Sequence, residues 1–219
     1  LVVEEKGIYS IENFVSARRL MYWQVYLHKT SVAAEAMLIS LIKRAKKLTQ
    51  AGKSIPATPA LRIFMERDIT KQEFLDDPDL LGIFTMMDDT DIWGSIKMWQ
   101  SHDDPVLSTL SHDLLTRKLF TIKLSNDKFD GSVIDRIQQL IIDQGFNQSE
   151  SKYFIQRDSI SNSAYIPKGG SINIMMKNGE IIDVAQASDL PNIKVMSKIV
   201  KKYYLCFPRS LKVPADIFQ

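Results

Sequence analysis

The stretch Arg18–Lys29, RRLMYWQVYLHK, sets an arginine, two tyrosines, a histidine and a lysine into the opening turns of one long helical run. Arg18, Tyr22 and Tyr26 are spaced i, i+4, i+8, which brings them onto one side of a helix. His28 and Lys29 turn toward a neighbouring side. A guanidinium and two phenol hydroxyls, with an imidazole and an ammonium beside them, suit the holding of phosphate, because each donates a hydrogen bond to its oxygens and the cations add charge. The same pattern also describes an amphipathic helix whose aromatics are core and whose cations are solvated. The stretch by itself leaves both readings open.

Working outward, the chain divides into a helical half and a mixed half. Leu1 to Glu5 is a strand candidate ended by Gly7, and Ser10 with Asn13 marks a helix entry. The helical pattern runs on to about Lys47, with apolar Val32, Ala36, Leu38, Ile39, Leu41 and Ile42. Its cationic close, Lys43-Arg44-Ala45-Lys46-Lys47, complements the negative end of a helix. Gly52 and Pro56 stop it. Short helices are expected at 58–67, 71–76 and 78–87, the first entered at Thr58-Pro59 because proline fits the first helical turn.

From Arg117 the period changes. Lys118 to Leu124 and Tyr153 to Arg157 are strand-like, and Ser132 to Gln144 carries a helical apolar stripe. Ile172 to Met176 and Glu180 to Val184 flank Lys177-Asn178-Gly179, whose Asn-Gly pair signals a hairpin. A helix near 188–202 and a strand over Tyr203 to Phe207 close the pattern, and Ser159 to Gly170 reads as a loop. The expected fold class is α+β: a mainly helical region over 1–116, then a small α+β domain over 117–219 with helices on one face of its sheet.

Composition points to an ordinary globular interior. The 219 residues are 45% hydrophobic and 25% charged, with a net charge of +2 that gives no global drive toward nucleic acid or membrane. A single cysteine, Cys206, forms no internal disulfide, so a reducing cytoplasm is the expected compartment. No segment approaches the ~20 uninterrupted apolar residues of a membrane span.

Several motifs imitate chemistry. His102-Asp103 and His112-Asp113 look like metal-binding dyads, but neither has further ligands at a convincing spacing, and His102-Asp103 precedes Asp104-Pro105, a helix-start context. No metal ligand is assigned in this chain. Asp76-Asp77, Asp88-Asp89-Thr90-Asp91 and Asp103-Asp104 each precede an apolar helical segment and read as caps. Lys168-Gly169-Gly170-Ser171 lacks the strand-to-helix context of a phosphate loop. Cys206, between Leu205 and Phe207, reads as a buried apolar residue. The basic runs at Lys43–Lys47 and Lys198–Tyr204 suit nucleic-acid contacts or, more simply, solvated helix faces.

A resemblance sharpens the first stretch. Ile8-Tyr9-Ser10-Ile11-Glu12-Asn13-Phe14, followed by Arg18-x3-Tyr22-x3-Tyr26-x-His28-Lys29, resembles a segment of bacterial HD-superfamily phosphohydrolases. These are related to deoxynucleoside triphosphate triphosphohydrolases, including the vertebrate SAM-and-HD-domain enzyme. The resemblance continues through Asp88-Asp89-Thr90-Asp91-Ile92-Trp93, then His102-Asp103-Asp104-Pro105, then Arg117-Lys118-Leu119-Phe120, and covers about the first 125 residues.

The resemblance implies a metal-dependent hydrolysis of nucleoside triphosphates, with the divalent metal (Mn, Mg, Fe or Zn class) held by a His and Asp set from upstream helices. On this reading the chain is the C-terminal part of a longer protein, continuing an HD-type helical domain, and is inactive alone. Arg18 matches the family arginine on the substrate triphosphate, and Tyr26 a tyrosine at the sugar and base end of the pocket. Tyr22 stands where some relatives have a histidine, so a catalytic part or a pocket wall both fit. His28 and Lys29 match a pair that holds an effector phosphate between subunits, which implies a homo-oligomer. Leu27 departs from a polar residue of those relatives, which implies a different substrate preference or regulation. The alternative class is a non-enzymatic nucleotide- or RNA-binding or assembly module.

Overall fold

Gly7 marks the passage from strand to helix. β1 (Val3–Glu4) and a 3-10 turn over Glu5–Gly7 lead into α1 (Ile8–Met21). A Cβ on Gly7 would stand 2.6 Å from Val3 Cγ1, so only glycine lets β1 and the start of α1 approach this closely. The computed structural model describes residues 1–162, 171–189 and 200–218.

Two expectations change here. Ser10 and Asn13 lie inside α1 rather than at its start, where Gly7 stands. The helix does not run on to Lys47 but stops at Met21. Tyr22–Tyr26 form a π-helical turn, Leu27 leaves helical geometry, and α2 (Lys29–Gln50) begins after it. α2 buries Val32, Ala33, Ala36, Met37, Ser40, Leu41, Arg44 and Ala45, one stripe at helical spacing.

The next helices start where their caps predict. Thr58 caps α3 (Pro59–Glu66), Thr70 caps α4 (Lys71–Asp76) and Asp77 caps α5 (Pro78–Thr85). Asp88 caps α6 (Asp89–Trp99) and Asp104 caps α7 (Pro105–Leu115). Each side-chain oxygen accepts a first-turn N–H that the helix leaves without a partner. Trp99 is fully buried and donates its indole N–H to the Pro56 carbonyl at 2.7 Å.

Two strands of the second half, β2 and β3, begin later than expected. Lys118 donates its N–H to the Asp113 carbonyl and Arg117, at φ 60°, to that of Leu114, closing α7 in a Schellman turn. That turn takes up Arg117 and Lys118, so β2 spans Thr121–Ser125. α8 (Gly131–Ile142) follows, capped by Asp130. Asn147 caps α9 (Gln148–Ser151), which runs into a 3-10 turn over Lys152–Phe154. Phe154 is buried against Phe146 at 4.3 Å between rings, so its apolar neighbourhood serves a turn, and β3 spans Gln156–Asn162.

The Asn-Gly hairpin is present. β4 (Asn173–Met175) pairs antiparallel with β5 (Ile181–Asp183) in the register Ile174 to Ile182, with Gly179 at φ 84° in the turn. α10 (Val184–Ala187) follows, and β6 spans Val200–Phe207. Of the helix expected near 188–202, residues 190–199 lie outside the described ones, and 200–202 belong to β6. Of the expected loop, Ser159–Asn162 are strand and 163–170 lie outside the described residues.

The fold is α+β, with two three-stranded sheets in place of one. The first has the order β1-β4-β5, with Val3 opposite Ile174 in parallel; the second has the order β2-β6-β3. By internal packing, 1–32, 123–129 and 157–204 form one compact unit, and 33–122, 130–156 and 205–219 form the other. In the first unit Ile8, Val15, Ile174 and Val184 make a buried cluster, flanked by Val3, Ile11 and Ile172.

Candidate functional site

Arg18, Tyr22 and Tyr26 are brought together as a stack. The Arg18 guanidinium carbon lies 5.5 Å from the centre of the Tyr22 ring, within cation–π range. The Tyr22 and Tyr26 rings are 5.2 Å apart, tilted by 48°. The stack straddles the junction of α1 and the π turn, where the Leu27 N–H donates to the Tyr22 carbonyl at 2.7 Å, five residues back. Single π turns occur often at functional sites, because the wider turn re-aims the side chains it carries. Arg18 is exposed, Tyr22 half-buried and Tyr26 56% exposed, so the stack lies at the surface.

His28 has a local occupation that its sequence position did not announce. Its Nδ1 accepts the Thr30 backbone N–H at 3.3 Å, and its carbonyl accepts from Val32, so it caps the first turn of α2. Ser31 Oγ donates to the Val25 carbonyl at 2.8 Å, a second donor there beside the His28 N–H at 3.4 Å. Lys29, exposed, is the first residue of α2.

The first of the two His-Asp dyads has a structural occupation. His102 Nδ1 accepts the Asp104 N–H at 2.9 Å, and His112 is exposed near the end of α7. Among the described residues no three His, Cys, Asp or Glu side chains come together as a metal centre requires. Cys206 is buried in β6, and burial pushes its thiol up to about 12, far from a usable thiolate.

The basic runs divide. Arg44 is not a solvated cation: it forms a buried ion pair with Asp104, and Lys46 pairs with Asp68 at 2.6 Å. In the second run, the Lys201 ammonium stands 5.1 Å from the Tyr203 ring centre and Lys202 5.9 Å from that of Trp23. Lys198, and Lys168-Gly169-Gly170, lie outside the described residues. Among those residues no single helix is long and apolar enough to cross a membrane.

No protein-family model matches this chain. It is 24% identical over 219 residues to an uncharacterized Bacillus subtilis (strain 168) protein, YwfO, an alignment covering 96% of this chain and 47% of that protein. Its structure is similar to the crystal structure of a protein named a phosphohydrolase, from Bacteroides thetaiotaomicron VPI-5482. The TM-score is 0.88 and the identity 50%, over 95% of this chain and 52% of that one. The chain thus spans about half the length of each.

Proposed function

We propose that this chain is part of an HD-type phosphohydrolase acting on deoxynucleoside triphosphates, and that it contributes Arg18 as a contact to the triphosphate. The observation that carries the reading is the 50% identity, over 95% of the chain, with a protein named a phosphohydrolase. The nucleotide and the metal come from the resemblance of the Arg18–Lys29 stretch. The stack adds physical support. A guanidinium held against a tyrosine face keeps its planar fork of N–H donors free for phosphate oxygens. Tyr22 then serves as the wall that positions Arg18, and Tyr26, the more exposed ring, lies at the sugar and base end.

His28 and Lys29 are proposed to hold an effector phosphate at the start of α2. A helix N-terminus favours anions, and with Nδ1 already accepting the Thr30 N–H, Nε2 is the nitrogen left to donate. The described residues of this chain do not assemble ligands for the divalent metal that the reaction class implies, and no step is routed through one.

The test is triphosphate release from a panel of deoxynucleoside triphosphates with Mn²⁺ or Mg²⁺, comparing the native protein with Arg18→Ala. The expected result is activity in the native protein and a loss of roughly 10²–10³-fold in the variant, the scale for removing one stabilising donor. Equal activity in the two would remove Arg18 from the pocket. The second reading, a nucleotide- or RNA-binding module, draws on the Lys201–Tyr203 pair. It predicts RNA binding that falls steeply with salt while no triphosphate is released.

A further inference from the structure

The helix pair α4 and α5 lies at the surface of the second compact unit with apolar side chains uncovered. Of residues 70–86 only Leu80 is buried. Leu75, Leu81, Phe84 and Met86 are between 49% and 77% exposed. Phe64 of α3, Phe74 of α4 and Phe84 of α5 close an aromatic triangle, with ring centres 5.7–6.1 Å apart. We infer that the α4–α5 face is a docking site for a Lys- and Arg-rich amphipathic helix of a protein partner.

A surface helix ordinarily turns its apolar stripe inward. Here Leu81 and Phe84, three residues apart on α5, share a side that stays open, and Met86 follows at the helix end. A Cβ on Gly82 would meet nothing within 4 Å, so the middle of α5 is uncovered as well. Single exposed apolar residues are ordinary, but four within twelve residues of two packed helices form a patch of the kind that marks contact sites. The aromatic triangle ties α3, α4 and α5 together, so the face exists before any partner arrives.

Charge selects the occupant. Residues 66–91 hold nine of the chain's 26 Asp and Glu and only two of its 28 Lys and Arg. Among the described residues Asp68 pairs with Lys46 and Glu73 with Arg67, and the other seven acids make no ion pair. Asp77 and Asp88 cap helices, which satisfies first-turn N–H groups but leaves the carboxylate charge in place. An apolar face within an acidic rim suits a helix whose apolar stripe enters the face while its Lys and Arg reach the carboxylates. The same rim opposes an anionic membrane, and it opposes a symmetric second copy, which would bring like charges together.

The experiment is fluorescence anisotropy of a labelled Leu and Lys peptide of about 18 residues, patterned as an amphipathic helix and titrated with the native protein. The expected result is saturable binding that weakens as salt rises, because the acidic rim is exposed. Leu81→Gln/Met86→Gln is expected to weaken it roughly tenfold or more, since two apolar side chains lose their burial against the peptide. Asp76→Asn/Asp79→Asn, which spares the Asp77 cap, weakens binding and flattens its salt dependence. Ile181→Gln, a comparably exposed apolar residue of the other compact unit, leaves it unchanged. Leu75→Gln is the single-site check should the double variant misfold. No saturable binding, equal binding of a scrambled peptide of the same composition, or equal binding in Leu81→Gln/Met86→Gln overturns the site. Self-association of the native protein in sedimentation equilibrium, abolished by Leu81→Gln/Met86→Gln, assigns the face to a second copy and overturns a helical partner.

Discussion

Asp104 does two jobs with one carboxylate. It accepts the Leu107 N–H at 2.9 Å as the cap of α7, and it receives Arg44 through Nε at 3.0 Å and Nη2 at 2.5 Å. Both side chains are about nine-tenths buried, at 10% and 9% exposure, with Tyr153 beneath the guanidinium at 5.2 Å and Glu150 at 3.8 Å. Burial pushes the Asp104 carboxyl up, but the Arg44 and Leu107 hydrogen bonds and the Arg44 charge outweigh it and hold the group below the usual carboxylate range. A depressed folded-state value stabilises the fold above the unfolded carboxylate value of about 4, and that stability is lost as pH falls through the folded one. Asp104→Ala, which strands a buried guanidinium and removes a cap, is expected to cost about 3–5 kcal/mol at pH 7 in urea denaturation. The difference from the native protein shrinks on acidification. A loss below 1 kcal/mol would mean that water reaches Arg44. The cap was legible in Asp104-Pro105, because capping is local. Arg44 was not, because its partner lies 60 residues away and nothing near it in sequence distinguishes it from Lys43.

At the scale of the element, the break between α1 and α2 is what shapes the candidate site. A composition that reads as one helix contains a change from i−4 to i−5 hydrogen bonding, and residue types do not encode that change. His28 accepts the Thr30 N–H after it, and Ser31 adds a donor to the Val25 carbonyl before it. The spacing of Arg18, Tyr22 and Tyr26 was legible, and so was their common side. The π turn that tilts one ring on the other was not. Glycines give a sharper test of element packing. Gly7→Ala places a methyl 2.6 Å from Val3 Cγ1, a short branched side chain with little room to give, and is expected to cost about 1–3 kcal/mol. Gly94→Ala, inside α6 with nothing within 4 Å of the new methyl, is expected to stabilise by roughly 0.5–1 kcal/mol. Urea midpoints moving in opposite directions would bear out both. A neutral Gly7→Ala would show that β1 can shift away from α1.

For the whole molecule, Cys206 is a built-in probe. It is fully buried in the middle strand of the β2-β6-β3 sheet, and burial pushes its thiol up to about 12. A thiol reagent at pH 8 is therefore expected to label the folded protein slowly, at a rate set by opening of the sheet, and rapidly in denaturant. Asp104→Ala should speed native-state labelling. Labelling at the free-thiol rate would show that this sheet opens readily. The sequence by itself determined where α3, α5, α6 and α7 start, since Thr58, Asp77, Asp88 and Asp104 act on N–H groups within three residues of themselves. It also determined the hairpin at Asn178-Gly179, where the turn needs a positive φ, and the burial of Cys206 between Leu205 and Phe207. Only the tertiary structure decided that β1 pairs with β4, that the Lys177 N–H reaches the Glu5 carboxylate, and that the strands divide into two sheets. The physical reason is that a strand edge offers the same N–H and C=O groups to any partner. The choice is made by which apolar side chains, here Ile8, Val15, Ile174 and Val184, can be buried together, and sequence neighbours carry no record of that.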